Sequence, residues 1–169
     1  MSAAVRALTA ADAGWFLPLN NAAVPHVNAL DEGALVALLG EAAWTAAVEH
    51  EGRAAGGLIA FGPGASYASP NYRWFDGRHD DFLYVDRVVV DAACRGAGLG
   101  KALYRALRDH AAGRTELLAC EVNERPANPA SLAFHEALGF RIVGHQETEG
   151  GTKRVALMEM ALPASPQGK

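Results

Sequence analysis

At 169 residues, half of them apolar and a fifth charged, the chain has the length and composition of one soluble globular domain with room for a real core. A formal charge of −4, with no basic run or stripe, argues against a phosphate backbone as partner, so no nucleic acid is expected. No stretch approaches the ~18 consecutive apolar residues of a membrane span, residues 1–10 lack a signal-peptide apolar run, and Cys94 and Cys120 have no paired spacing; a cytoplasmic protein with reduced thiols and no membrane partner is the expectation.

In chain order, Ala4 to Leu8 reads as a short strand. Thr9 reads as an N-cap with Asp12 three residues on, opening a helix to about Phe16, since Pro18 sits badly inside anything longer. The amide pair Asn20-Asn21 follows, then a bend at Pro25 and His26. Asp31 caps a second helix whose apolar face is Leu35, Leu38 and Leu39. Trp44 to His50 and Ala54 to Phe61 form a β-hairpin around Glu51-Gly52-Arg53. Gly62 to Asp80 is the longest irregular stretch, and its Tyr67, Tyr72, Trp74 and Phe75 indicate a flap over a site rather than a disordered loop.

Phe82 to Val90 is rich in aromatic and β-branched residues and is the clearest strand in the chain. It runs through a turn holding Gly96, Gly98 and Gly100 into a helix with Leu99, Leu103 and Leu107 on one stripe and Tyr104 beside them. A strand, a glycine-rich turn and a helix N-terminus together make an anion site, because the first N–H groups of the helix have no partner within it and glycine admits a ligand close to the main chain. Arg87, Arg95, Lys101, Arg105 and Arg108 gather around this turn and suit a small anion. A Walker A loop is excluded, since Arg95 stands where its first Gly belongs and Ala102 where Ser or Thr belongs. A dinucleotide fingerprint is excluded too, because the glycines are spaced G-x-G-x-G. Beyond the helix, Thr115 to Val122 is a strand, Asn123 to Asn128 a polar loop, and Pro129 opens a helix that Gly139 stops. Phe140 to Gln146 and Thr152 to Leu162 are two further strands around Glu149-Gly150-Gly151. Residues 1–163 are expected to form the domain, with 164–169 a frayed tail. No metal is expected: His135-Glu136 does not complete H-E-x-x-H, and no Cys pair exists.

What remains is Arg95-x-x-Gly98-x-Gly100, which resembles the acyl-CoA pyrophosphate loop of the GNAT (Gcn5-related) N-acetyltransferase superfamily. A second block, Asn128-Pro-Ala-Ser131-Leu-Ala-Phe134-His135-Glu-Ala-Leu138-Gly139-Phe140, is similar to the family's Asn-x-x-Ala/Ser-x-x-Leu/Phe-Tyr-x-x-x-Gly-Phe and matches it at Asn128, Ser131, Phe134, Gly139 and Phe140. The resemblance spans roughly Phe82 to Leu162. It implies an α+β fold with a central, mostly antiparallel sheet of six to seven strands, helices on both faces, and a splayed gap between the fourth and fifth strands made by a bulge near Arg87 or Val88.

The same resemblance implies an acetyltransferase that moves an acetyl group from acetyl-CoA to a primary amine of a small molecule or peptide, in a family where homodimers are common. Val88 and Val90, with Val89 between them, would pair with the pantetheine arm, and the N–H of Val88 would meet the oxyanion. Arg95, Gly96, Ala97, Gly98, Leu99, Gly100 and Lys101 would hold the pyrophosphate, with Asn123, Asn128, Ser131 and Phe134 on the opposite wall. Asn20, Asn21, His26, Trp74 and Tyr84 are acceptor-side candidates. His135 replaces the family's usual Tyr, the acid that protonates the departing thiolate; an imidazole with a pKa near ~6.5 can donate a proton, though its reach is shorter. Asp86 is the candidate base, because it and Tyr84 lie two and four residues before Val88 and alternation places them on one strand face. The alternative function is a non-catalytic acyl-CoA-binding module of the same fold, which the His-for-Tyr exchange would favour.

Overall fold

The computed structural model describes residues 3–163; the tail expected at 164–169 lies outside them. Seven strands, β1 (Ala4–Arg6), β2 (Trp44–His50), β3 (Arg53–Phe61), β4 (Leu83–Val90), β5 (Leu117–Arg125), β6 (Arg141–Thr148) and β7 (Lys153–Ala161), form one sheet in the order β1-β2-β3-β4-β5-β7-β6. Only β4 and β5 are parallel. The helices are α1 (Ala13–Ala22), α2 (Glu32–Glu41), α3 (Pro70–Asp76), α4 (Leu99–Ala111) and α5 (Pro129–Leu138). Phe16, Leu35, Leu38, Tyr72 and Phe75 of α1, α2 and α3 pack on one sheet face; Leu99, Leu103, Tyr104 and Leu107 of α4 pack on the other, with Phe134 and Leu138 of α5 beside them. This is the mixed α+β, helices-on-both-faces architecture that the sequence predicts.

Four local readings are corrected. Helix α1 does not end near Phe16 but continues through Pro18 to Ala22. The hydrogen bond that the proline deletes is outweighed by the complete burial of Phe16 and Asn20, each two residues away from it. The stretch Gly62 to Asp80 is not irregular throughout, because it contains α3. There the Ser69 hydroxyl accepts from the N–H of Tyr72, Pro70 occupies the first turn, and Tyr72 and Phe75 bury against the sheet. Strand β5 starts later than expected and runs on through Asn123 to Arg125, so residues 123–125 belong to the sheet rather than to a loop.

The fourth correction shapes the site. Ile59 pairs with Arg87 but Ala60 pairs with Val85, so Asp86 is an extra residue in β4, one position ahead of the expected bulge. The inserted residue breaks alternation. Leu83 and Val85 face α4, as do Val88 and Val90 beyond the bulge, while Tyr84 faces the α1–α2 side. Tyr84, Asp86 and Val88 therefore do not share a face. Pairing of β4 with β5 is confined to Leu83–Leu118 and Tyr84–Ala119, after which the two strands separate.

Candidate active site

The gap between β4 and β5 opens into a cavity of about 810 Å³. One wall is the edge of β4 from Val85 to Val90, and the end is the glycine loop from Arg95 to Lys101. The N–H of Asp91 donates to the Ala55 carbonyl of β3, so by alternation the main-chain groups of Val88 and Val90 point the other way, into the gap. Gly98 sits at φ +77° as the residue before α4, a conformation natural to glycine, and the first helical bond is donated by Ala102 to its carbonyl. The N–H groups of Leu99, Gly100 and Lys101 thus open toward the cavity end with no helical acceptor and no acidic side chain in that turn. Gly100 serves packing: a Cβ there would lie 3.0 Å from the ring of Phe134, so glycine lets α5 close down beside the loop. Asn128, Ser131 and Phe134 line the opposite wall, as does Asn123. The Asn128 side chain also caps α5, accepting from the N–H of Ser131 at 3.4 Å.

His135 is buried, 4% exposed, with both ring nitrogens engaged. Nδ1 lies 2.7 Å from the Ser131 carbonyl, which can only accept, so Nδ1 carries the proton. Nε2 then accepts from the Tyr104 hydroxyl at 2.7 Å. Burial lowers the imidazole's pKa, against a smaller upward pull from the Ser131 carbonyl, which favours this neutral form. The hydroxyl at the end of the chain of contacts therefore belongs to Tyr104, which also lines the cavity.

A second cavity, of about 630 Å³, adjoins the first. The two share His26, Val27, Asp86, Arg87, Glu121 and Asn123 as lining. Asp86 is committed: one oxygen accepts from Arg87 Nε at 2.8 Å and the other from the Tyr67 hydroxyl at 2.6 Å. Arg87, 6% exposed, also donates from Nη1 to Asn20 Oδ1 at 3.0 Å and to the Asn28 carbonyl at 3.2 Å. Glu121 is differently placed. Its Oε1 has a long bond from Asn71 at 3.5 Å, while Oε2 is enclosed without a partner, as is the hydroxyl of Tyr84. Burial pushes the Glu121 carboxyl up to about 8; nearby Asp86 adds to the shift, while Tyr84 and Asn71 oppose it.

Of the acceptor-side candidates, only His26 lines a cavity. Asn20 and Asn21 hold the chain behind the site, Asn20 through Nδ2 to the Asn28 carbonyl and Asn21 through a pair of 2.9 Å bonds with the main chain of Leu30. Trp74 packs on Gly144 of β6 with Arg78 stacked 3.8 Å over it and lines neither cavity, and Tyr84 lies in the core below them. Sequence reasoning missed Glu121, Tyr104, Asn71 and Lys153, whereas Tyr67, one of the expected flap aromatics, lines the second cavity. Glu121 had a signal, a carboxylate between Cys120 and Val122 in the otherwise apolar run Leu117 to Val122. Among the described residues no three His, Cys, Asp or Glu side chains cluster as a metal site requires, and no helix is long and apolar enough to cross a membrane.

The profile of the acetyltransferase (GNAT) family matches residues 15–140, three quarters of the chain. The chain belongs to the GNAT acetyltransferase family. Solved GNAT structures share its fold from end to end. The ribosomal-protein-S18-alanine N-acetyltransferase of Escherichia coli superposes with a TM-score of 0.74 at 18% identity, covering 99% of each chain. Ard1 of Thermoplasma volcanium gives 0.77 at 14% identity, covering 96% of this chain and 99% of its own. A GNAT superfamily phosphinothricin acetyltransferase from Sinorhizobium meliloti, solved in complex with acetyl-CoA, gives 0.71 at 21% identity, covering 100% of this chain and 93% of its own. No curated protein sequence matches the chain. At these identities the likeness is one of fold.

Proposed function

We propose that this GNAT protein transfers an acetyl group from acetyl-CoA to a primary amine by direct attack within a ternary complex. The observation that carries the reading is the meeting of two cavities at Glu121: one bounded by bare β-edge, glycine loop and helix N-terminus, the other by polar side chains. The first suits acetyl-CoA. Main-chain groups of Val88 and Val90 can pair with an amide-bearing arm as an added strand would, and the opening turn of α4 can hold a pyrophosphate. Acetyl-CoA supplies an activated thioester.

The protein's own groups then have distinct tasks. Glu121, enclosed and with its carboxyl at about 8, takes the proton that the acceptor ammonium must lose before its nitrogen can attack. The N–H of Val88 faces the developing oxyanion. As the N–C bond forms and the C–S bond breaks, the Tyr104 hydroxyl turns its one proton from His135 Nε2, its acceptor in the resting protein, to the departing sulfur. Asp86 orders Arg87 and Tyr67 at the shared wall instead of taking the proton.

A second reading, an acyl-CoA-binding module without turnover, draws on the engagement of both His135 nitrogens in the position where the family's tyrosine acid stands. One experiment separates them: thiol release from acetyl-CoA with a pooled amine panel, alongside acetyl-CoA-induced thermal stabilisation. Stabilisation with amine-dependent release supports transfer. Stabilisation with no release supports the module, and absence of stabilisation overturns both.

A further inference from the structure

Resting on the acetyl-transfer reading, we infer that the acceptor is a small amine that also carries an anionic group, an amino-acid-like molecule, rather than a peptide terminus or a polyamine. The first reason is closure. The segment joining α1 to α2 and the turn joining β6 to β7 touch across the outer end of the acceptor cavity. Lys153 Nζ donates to the Pro25 carbonyl at 3.4 Å and to Asn28 Oδ1 at 3.3 Å, and Asn123 Nδ2 also reaches the Pro25 carbonyl at 3.4 Å. A peptide running out of the cleft on this side would have to part these contacts. What they leave is a chamber of about 630 Å³, within the range of small-molecule sites.

The second reason is the order of charges. Glu121, the group that takes the amine's proton, lies where the acceptor chamber meets the acetyl-CoA cavity, so the amine belongs at that end. Lys153 lines only the acceptor chamber, away from the shared wall. Its partner Glu149, at 3.2 Å, has a side chain 59% exposed, a weak surface pairing that a desolvated substrate anion can displace. Arg87, on the shared floor, adds a buried cation whose bonds to Asp86, Asn20 and Asn28 come from Nε and Nη1, leaving Nη2 outside that set. A polyamine would place its second cation against Lys153. A molecule with its amine at Glu121 and a carboxylate at Lys153 is complementary at both ends.

The test is acetyl transfer to matched acceptors: free α-amino acids, their methyl esters, tripeptides with the same first residue, and spermidine, for wild type, Lys153→Met and Lys153→Arg. The expected result is a free-acid preference over the ester of about tenfold or more in kcat/KM, from a charge-assisted contact. Lys153→Met should bring that ratio toward one, chiefly through KM for the acid, and Lys153→Arg should retain it. Preference for esters, tripeptides or spermidine overturns the acceptor class while acetyl transfer stands. Stabilisation by acetyl-CoA with no turnover of any acceptor overturns the transfer reading, and the inference with it.

Discussion

The two halves of the cleft are built from different materials. The side proposed for acetyl-CoA is made mainly of main chain: the free edge of β4, the glycine loop and the opening turn of α4, all within residues 85–101. The acceptor side is made of side chains from four separated stretches, His26 to Asn28, Tyr67 to Asn71, the β4–β5 floor, and Thr148 to Lys153. Backbone recognition reads a ligand common to a fold; side-chain recognition is free to vary from one protein to the next. The comparison implies that each half can be damaged without the other.

The largest effect should come where the halves meet. Glu121→Gln should lower kcat by ~10²–10⁴-fold while leaving acetyl-CoA-induced thermal stabilisation intact. A base works only when deprotonated, so with its carboxyl at about 8 the wild-type rate should climb as pH rises toward 8 and level off above it. The same shift acts on stability in the opposite sense. Between the ordinary carboxylate range, ~4.3, and about 8, the folded state holds a proton that the unfolded chain has lost, so stability falls as pH rises through that window. Glu121→Gln should flatten both profiles, and a retained limb in the rate profile would assign the proton to another group.

Next in size is Tyr104→Phe, expected to cost ~10²-fold in kcat with acetyl-CoA. The loss should shrink when the acetyl donor is a thioester of a nitrothiophenol, whose thiolate leaves without protonation. A loss independent of the leaving group would make the Tyr104–His135 contact structural.

Gly98→Val tests the main-chain half alone. A β-branched residue at φ +77° is strained by ~1–2 kcal/mol, which should weaken acetyl-CoA binding about tenfold and leave the acceptor KM unchanged. The converse is Asn20→Ala, the smallest kinetic effect. Removing the side chain that joins Arg87 to Asn28 should cost ~1–3 kcal/mol of stability and raise the acceptor KM a few-fold, with acetyl-CoA affinity unchanged. Movement of both parameters in either variant would mean that the halves are coupled.

The same division explains what the sequence made legible. Strand, glycine turn, helix and the Asn128-to-Phe140 block are contiguous, so the fold could be read directly, and with it the residues that line the cavity proposed for acetyl-CoA. Helix α3 was hidden because Ser69, Pro70 and Asn71 are cap and turn residues as well, and only Tyr72 and Phe75 meeting the sheet make the segment helical. The acceptor wall could not be read, since nothing local brings Lys153 to Asn28 or Asn71 to Glu121. Asn20 and Asn21, expected to contact the acceptor, instead hold the shape of the loop that follows them.

Side chains along a strand keep a two-residue beat, and Asp86 is half a cycle inserted into it. Upstream of that slip β4 is in phase with the apolar side facing α4; were Asp86 paired instead of bulged, the next residue to fall on that beat would be Arg87. Deleting Asp86 would close the bulge and restore plain alternation, with Arg87 still facing away from α4 and Val88 and Val90 still facing it. Inserting a second residue beside it, by contrast, would turn a guanidinium toward the α4 side and swing the following valines the other way, an error equal to rotating half the strand by 180°. The number of residues in β4, and not only their type, thus sets which side of the sheet is charged, and the sheet carries similar register shifts at Val48/Glu49, Asn123/Arg125 and Ile142/Gly144.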